Sequence, residues 1–170
     1  HDEVLGKDVC LHFIPEAVRG DARAMTELRQ EIKRCRLLIH PNILRVYDVI
    51  EEPDWAAIST DTFEGDSLAV LLQKQPDKCF PAERVQPWIE QVVQTLEEAH
   101  KINVLHRDLV PANLFVAPAG KILVANFGVS RIIQDALHRA GLGDASHIAL
   151  TSPQTAAGQA TTKADDVYSV

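Results

Sequence analysis

Asp108 and Asn113, an acid and an amide five residues apart, are the side chains of this 170-residue chain whose types and spacing point most directly to chemistry. They lie in residues 105–116, Leu-His-Arg-Asp-Leu-Val-Pro-Ala-Asn-Leu-Phe-Val, where Pro111 interrupts a loop that leads into an apolar strand. This is the pattern of a catalytic loop. Taken alone, Asp108 has a simpler reading as a loop aspartate capping backbone amides.

The elements that must position this loop can be read from periodicity. Residues 2–15 contain the turn Leu5-Gly6-Lys7-Asp8 and then an apolar run, interrupted by His12 and halted by Pro15, that predicts a strand. Met25, Leu28, Ile32, Cys35 and Leu38 recur at steps of three and four and predict an amphipathic helix over 22–38, with Glu31 near its inner stripe. His40-Pro41-Asn42 ends it, because proline disfavours helical geometry in the preceding residue. Two strands are expected at 43–50 and 55–59, then a linker at 61–66, with Ser67 capping a short helix that runs to Lys74.

Val85, Trp88, Ile89, Val92, Val93, Leu96 and Ala99 trace the longest helical stripe, expected to bury one whole face. Pro87 requires that helix to start only a turn or so earlier. Residues 114–117 and 121–125 read as a hairpin, 129–143 have partial helical periodicity, and 144–164 read as a long exposed segment.

Composition excludes several function classes. A net charge of -7 argues against a general nucleic-acid surface, which needs concentrated Lys and Arg. Three widely spaced cysteines without a CxxC pair give neither a disulfide framework nor a zinc cage, which fits a reducing, cytoplasmic setting. The seven histidines form no HExxH pair, so no metal ligands are assigned. No apolar run approaches the roughly 20 residues of a membrane span, so direct membrane insertion by this chain is not expected.

The loop closely resembles the H-R-D-L-x-P-x-N loop of the protein-kinase superfamily, in which the Asp accepts the substrate hydroxyl proton and the Asn holds a metal ion beside the phosphates. The order of motifs around it resembles a bacterial Hanks-type Ser/Thr kinase domain from the second N-lobe strand to the start of the C-lobe helix called αF. Residues 2–15 resemble the V-A-I-K segment, with His12 at the lysine and Cys10 near the adenine site; Glu31 stands at the N-lobe helix glutamate. Thr60 resembles the gatekeeper, Asp61 and Phe63 belong to the hinge-like stretch, and Phe115 falls where the family sandwiches adenine.

Asn126-Phe127-Gly128 stands at D-F-G, Ser152-Pro153-Gln154 at A-P-E, and Asp166 at the opening of αF. Cys35, Val46, His106 and Phe127 stand in the column of side chains joining the lobes, and Asp166 is placed to hold the catalytic-loop backbone. The resemblance implies an α+β, bilobal fold: a small β-rich N-lobe with one helix (1–60), a hinge and linker (61–68), and a mainly helical C-lobe (69–170). It also implies that the first strand and Gly-rich loop precede His1 and that most of αF follows Val170.

The departures fall on the reaction centre. His12 replaces the phosphate-anchoring lysine, Asn126 the metal-binding aspartate, and Val110 the lysine two positions after the catalytic aspartate. Ser146 and His147 stand where related kinases have Gly-Thr, and Gln154 replaces a glutamate expected to form an ion pair. Beside these family readings stand plainer ones. Glu31 is either half of a pair with His12 or a solvated helix charge; His12 satisfies a local hydrogen bond; Asn113 and Asn126 hold backbone turns; Thr151 and Ser146 are ordinary loop polarity rather than phosphorylation sites facing Arg107.

The expectation is a catalytically impaired kinase-like domain, a pseudokinase, regulating or scaffolding a protein partner such as another kinase or signalling protein. The alternatives are a weakly active ATP-dependent Ser/Thr kinase with Asp108 as base, and a nucleotide-sensing switch without turnover. His12, Glu31, Thr60, Asp61, Phe63, Phe115 and Asn126 are the candidate nucleotide contacts, and ATP and magnesium enter only through residual binding. The expected location is the cytoplasm, including the cytoplasmic part of a larger or membrane-anchored protein.

Overall fold

A computed structural model describes residues 1–143 and 150–170; Ser146 and His147 lie outside the described residues. The upper lobe is built on a three-stranded antiparallel sheet, β1 (Val9–Phe13), β2 (Val46–Glu51) and β3 (Ala56–Asp61), in the order β1-β3-β2. All six residues of β3 except Asp61 are buried, as expected of a central strand. A bulge between Val46 and Asp48 shifts the β2–β3 register.

Two helices precede β2. α1 (Glu16–Arg19) is a single turn that sequence periodicity did not reveal, because four residues after Pro15 carry no full helical stripe; it adds to the one helix expected in this lobe. α2 (Ala22–Cys35) starts at Asp21, whose carboxylate accepts from the backbone N–H of Arg23 and Ala24. Its inner stripe, Ala24, Met25, Leu28 and Ile32, packs into the upper core with Val46 and Ile58.

The lower lobe holds a second antiparallel sheet, β4 (Asp66–Ser67), β5 (Leu114–Val116) and β6 (Ile122–Val124), together with α3 (Leu68–Gln73) and the long α4 (Ala82–Lys101). Ser67 caps α3 by accepting from the Val70 N–H, and α4 begins five residues before Pro87. Gly65, at φ +145°, passes so close to Val116 that a Cβ would lie 2.3 Å from its carbonyl oxygen, which reserves the position for glycine.

The stripe of α4 is narrower than expected. Trp88, Val92, Leu96 and Ala99 are buried, whereas Ile89 and Val93 are 40% and 49% exposed. Each follows a buried position by one residue, about 100° around the helix, and so falls on the flank of the contact rather than within it.

The lobes are stitched by backbone. The Val124 N–H donates to Asn42 O at 2.7 Å and the Leu44 N–H to Val124 O at 2.9 Å. Asn42 adds side-chain bonds to Ile122 O and Gln91 Oε1. The remaining helices are α5 (Val129–Arg139), α6 (Pro153–Ala156) and α7 (Lys163–Tyr168). In the segment expected to be exposed throughout, Ser152 is buried and caps α6, so its described part is partly anchored.

Candidate active site

The catalytic-loop candidate hangs from one buried carboxylate. Asp166, at 1% exposure, accepts from the backbone N–H of both His106 and Arg107 at 2.8 Å, and its Oδ2 lies 2.8 Å from His100 Nε2. His106 is fully buried, bonds Ala125 O through Nε2 and packs against Phe127, the two rings tilted by 54° with centroids 4.7 Å apart. Burial holds its pKa below the ordinary histidine value, against the raising pull of Asp166 and Asp108.

Phe127 continues the column to Cys35, whose Sγ donates to the Phe127 carbonyl. Burial first, and the charge of Glu31 second, push the Cys35 thiol up to about 12, so it remains a protonated donor. Val46 belongs to the upper core, whereas Cys35 and Phe127 belong to the lower one.

This scaffold brings Asp108, Asn113 and Asn126 together. Asn113 Nδ2 donates to the Asp108 carbonyl at 2.8 Å and to its carboxylate at 3.2 Å. The Asn113 amide oxygen accepts from Asn126 Nδ2 at 2.9 Å and from Ser130 Oγ at 3.4 Å. Asn126 has φ +64°, a left-handed conformation that asparagine tolerates better than most residues. Val110 is buried and lines the same small pocket as Asp108, Thr151 and Asp165. The Ser130 hydroxyl joins this network from the first turn of α5, and no spacing in the sequence signals its approach to Asn113.

Across the cleft, His12 and Glu31 are not joined. His12 Nε2 lies 3.0 Å from Thr60 Oγ1, and desolvation lowers its pKa, which favours the neutral ring. Glu31 is neither His12's partner nor a solvated charge: at 3% exposure it is buried and paired with Arg34 at 3.2 Å and Arg107 at 3.7 Å. The i, i+3 spacing of Glu31 and Arg34 is the sequence signal for the first of these pairs, whereas Arg107, expected as a loop residue facing Thr151 and Ser146, reaches Glu31 only through the fold. Gly128, at φ +64°, abuts this glutamate so closely that a Cβ would lie 2.5 Å from Glu31 Oε1.

On the hinge side, Phe63 and Phe115 pack against each other with centroids 4.4 Å apart, and Cys10 pairs with Thr60 across β1 and β3. Asp61 faces Lys7 at 2.6 Å and accepts from the Tyr47 hydroxyl at 2.6 Å. Lys7 also donates to Tyr47 and sits 4.6 Å over its ring. Burial raises the Asp61 carboxyl, but the Lys7 and Tyr47 bonds prevail and hold it below the usual range. Neither partner of Asp61 was read from sequence.

Directly after Gly128, α5 leaves the cleft and turns upward. Val129, Ile132 and Ala136 enter the upper core beside Leu28 and Met25. Arg139 Nη2 reaches the helix-capping carboxylate of Asp21 at 2.6 Å, and chiefly through that bond the Asp21 pKa is lowered. No group of His, Cys, Asp and Glu among the described residues forms a metal cluster. No helix of the described residues is long and apolar enough to cross a membrane.

A three-stranded sheet with its helices above, a helical lobe below, and an Asp-Asn loop pinned at their junction define a bilobal α+β architecture. The chain belongs to the protein kinase family, matching the protein kinase domain over residues 4–170. It is 35% identical over 123 residues to serine/threonine-protein kinase 36 of Pongo abelii, covering 72% of this chain and 9% of that protein. It is 27% identical over 169 residues to serine/threonine-protein kinase PrkC of Bacillus subtilis, covering 99% of this chain and 26% of that protein. The chain thus spans a minor part of these relatives. The solved Mycobacterium tuberculosis PknI kinase domain shares the fold at TM-score 0.80 and 24% identity, covering 99% of this chain and 62% of that one.

Proposed function

We propose that this protein kinase domain is catalytically impaired and acts in the cytoplasm as a regulatory or scaffolding module for a protein partner. The observation that carries this reading is the bond from Asn126 Nδ2 to Asn113 Oδ1. Two neutral amides occupy the positions at which a kinase presents its metal ligands, and the oxygen expected to face the metal already accepts a hydrogen bond. Hard divalent cations favour carboxylate oxygens and bind weakly without them. His12 strengthens the case, because a neutral ring turned to Thr60 supplies no cation for phosphate.

The loss of one preorganised electrostatic group typically costs about 3 to 4 kcal/mol in a transition state. Phosphoryl transfer rests on positioning and charge stabilisation, so the absence of several such groups leaves Asp108 a base with little to act on. Transfer of radiolabelled phosphate from magnesium-ATP to a generic protein substrate tests this. The expected incorporation equals that of Asp108→Ala, and robust turnover lost in that variant overturns the reading.

A second reading, a weakly active Ser/Thr kinase, is favoured by the secure anchoring of the Asp108 loop through Asp166. Thermal shift with ATP, with and without magnesium, separates a nucleotide sensor from a pure scaffold. The leading reading expects no magnesium-dependent shift.

A further inference from the structure

We infer that the groove between the connection after α2 and the hinge is a docking site for an extended protein segment carrying an apolar side chain flanked by carboxylates. This deepens the scaffolding half of the proposed function and rests on it, without requiring the cleft to be inactive. The groove encloses about 420 Å³ where the connection after α2, the hinge and the β6 strand converge. Ile39, Ile43, Phe63 and Leu123 contribute apolar walls, and Arg45 and Lys121 provide its cationic groups. Ile39 is 79% exposed, and Leu37, two residues before it, is open at 71%, so the rim of the groove is apolar.

Charge complementarity selects the occupant. The chain carries a net charge of -7, yet this groove presents two exposed cations, Lys121 and Arg45, the latter 5.4 Å over the Tyr47 ring and helping to hold the Asp61 carboxyl low. The one carboxylate in the lining, Asp61, is already engaged by Lys7 and Tyr47. Two cations are too few to hold a nucleic acid or an anionic lipid surface, both of which require a dense basic patch. They suit a short acidic segment whose central apolar side chain settles against Ile39 and Leu123, the division of labour usual at peptide grooves. Phe63 is shared with the cleft through its contact with Phe115, so the occupant bears on the wall of the candidate nucleotide site.

Fluorescence anisotropy of the protein with a labelled Asp-Glu-Asp-Leu-Leu-Asp-Glu peptide tests the inference. Saturable binding is expected below about 1 mM, a modest affinity typical of short segments. Lys121→Glu is expected to weaken it at least fivefold, Ile39→Ser at least threefold, and 0.5 M salt severalfold. Both positions are exposed, and circular dichroism verifies that each variant folds. No saturation, equal binding by a peptide with Lys at every acidic position, or binding unmoved by both substitutions overturns the proposal. Self-association abolished by Ile39→Ser, with no peptide binding, likewise assigns the groove to a second copy and overturns it. Phosphate-transfer results do not bear on this outcome, so failure of docking and failure of the catalytic reading are read separately.

Discussion

The two walls of the cleft differ in how they treat their buried carboxylates. Below, Asp166 is met by two backbone N–H groups and His100, and through them it fixes the loop carrying Asp108. Above, Glu31 is just as buried but is paired with Arg34 and Arg107, while His12 bonds Thr60. The lower wall uses its buried charge to shape the loop, and the upper wall pairs its own with two arginines. A fold can therefore retain its architecture while its electrostatics are redirected, because backbone donors are supplied by any sequence and a lysine is not.

The largest test strikes the lower wall. Asp166→Ala removes the acceptor of two buried backbone donors and is expected to cost about 3 to 5 kcal/mol in urea unfolding. If the loss is below about 1 kcal/mol, the contrast between the walls collapses. The next test rebuilds the upper wall: His12→Lys combined with Asn126→Asp is expected to create a magnesium-dependent ATP stabilisation of about 2.7 kcal/mol when ligand exceeds Kd a hundredfold. A double variant that stays blind to magnesium-ATP in thermal shift shows that the Phe63–Phe115 side, rather than the missing charges, governs the cleft.

Asp21→Ala, which loses both the cap of α2 and the anchor of Arg139, is expected to cost about 1 kcal/mol; Arg139→Ala, removing an exposed partner, about 0.5 kcal/mol or less, both by denaturant unfolding. Acid sensitivity sharpens the comparison further. His106 and His12 have folded-state pKa values below the ordinary 6.5. The unfolded chain therefore binds more protons than the folded one as pH falls below about 6.5, and stability declines with it. Asp165 extends the trend: its bonds from Ser152 and Thr162 hold it at about 2, so its contribution is present above its usual 3.8 and is lost between the two values. His12→Gln is expected to flatten the first decline in a pH series of unfolding midpoints and leave the second unchanged.

Much of the architecture was written in periodicity and punctuation. The stripe of α2, the cap at Ser67, the position of Pro87 and the hairpin of β5 and β6 each follow from local rules, and the ordered motifs gave the fold. What local rules leave open is the choice among partners. The sequence places Glu31 on an inner stripe, but only three-dimensional packing brings Arg107 within reach in preference to His12. It shows an amphipathic stretch after Gly128, yet a stripe does not state which lobe will bury it. The approach of Asn126 to Asn113 depends on a left-handed residue whose side-chain direction no spacing reveals. At the hinge, Tyr47 and Asp61 are fourteen positions apart on neighbouring strands, and a bulge sets their meeting.

The helix that follows Gly128 carries one more consequence, for the order in which the chain is made. Its residues Val129, Ile132 and Ala136 complete a core whose other members lie between Ile14 and Ile58. A ribosome must therefore release more than seventy further residues after Ile58 before that core can close, and loop closure over such a span slows assembly. The upper lobe is therefore not finished when its own strands are, and it waits with apolar surface open to chaperones until the segment beyond the cleft arrives.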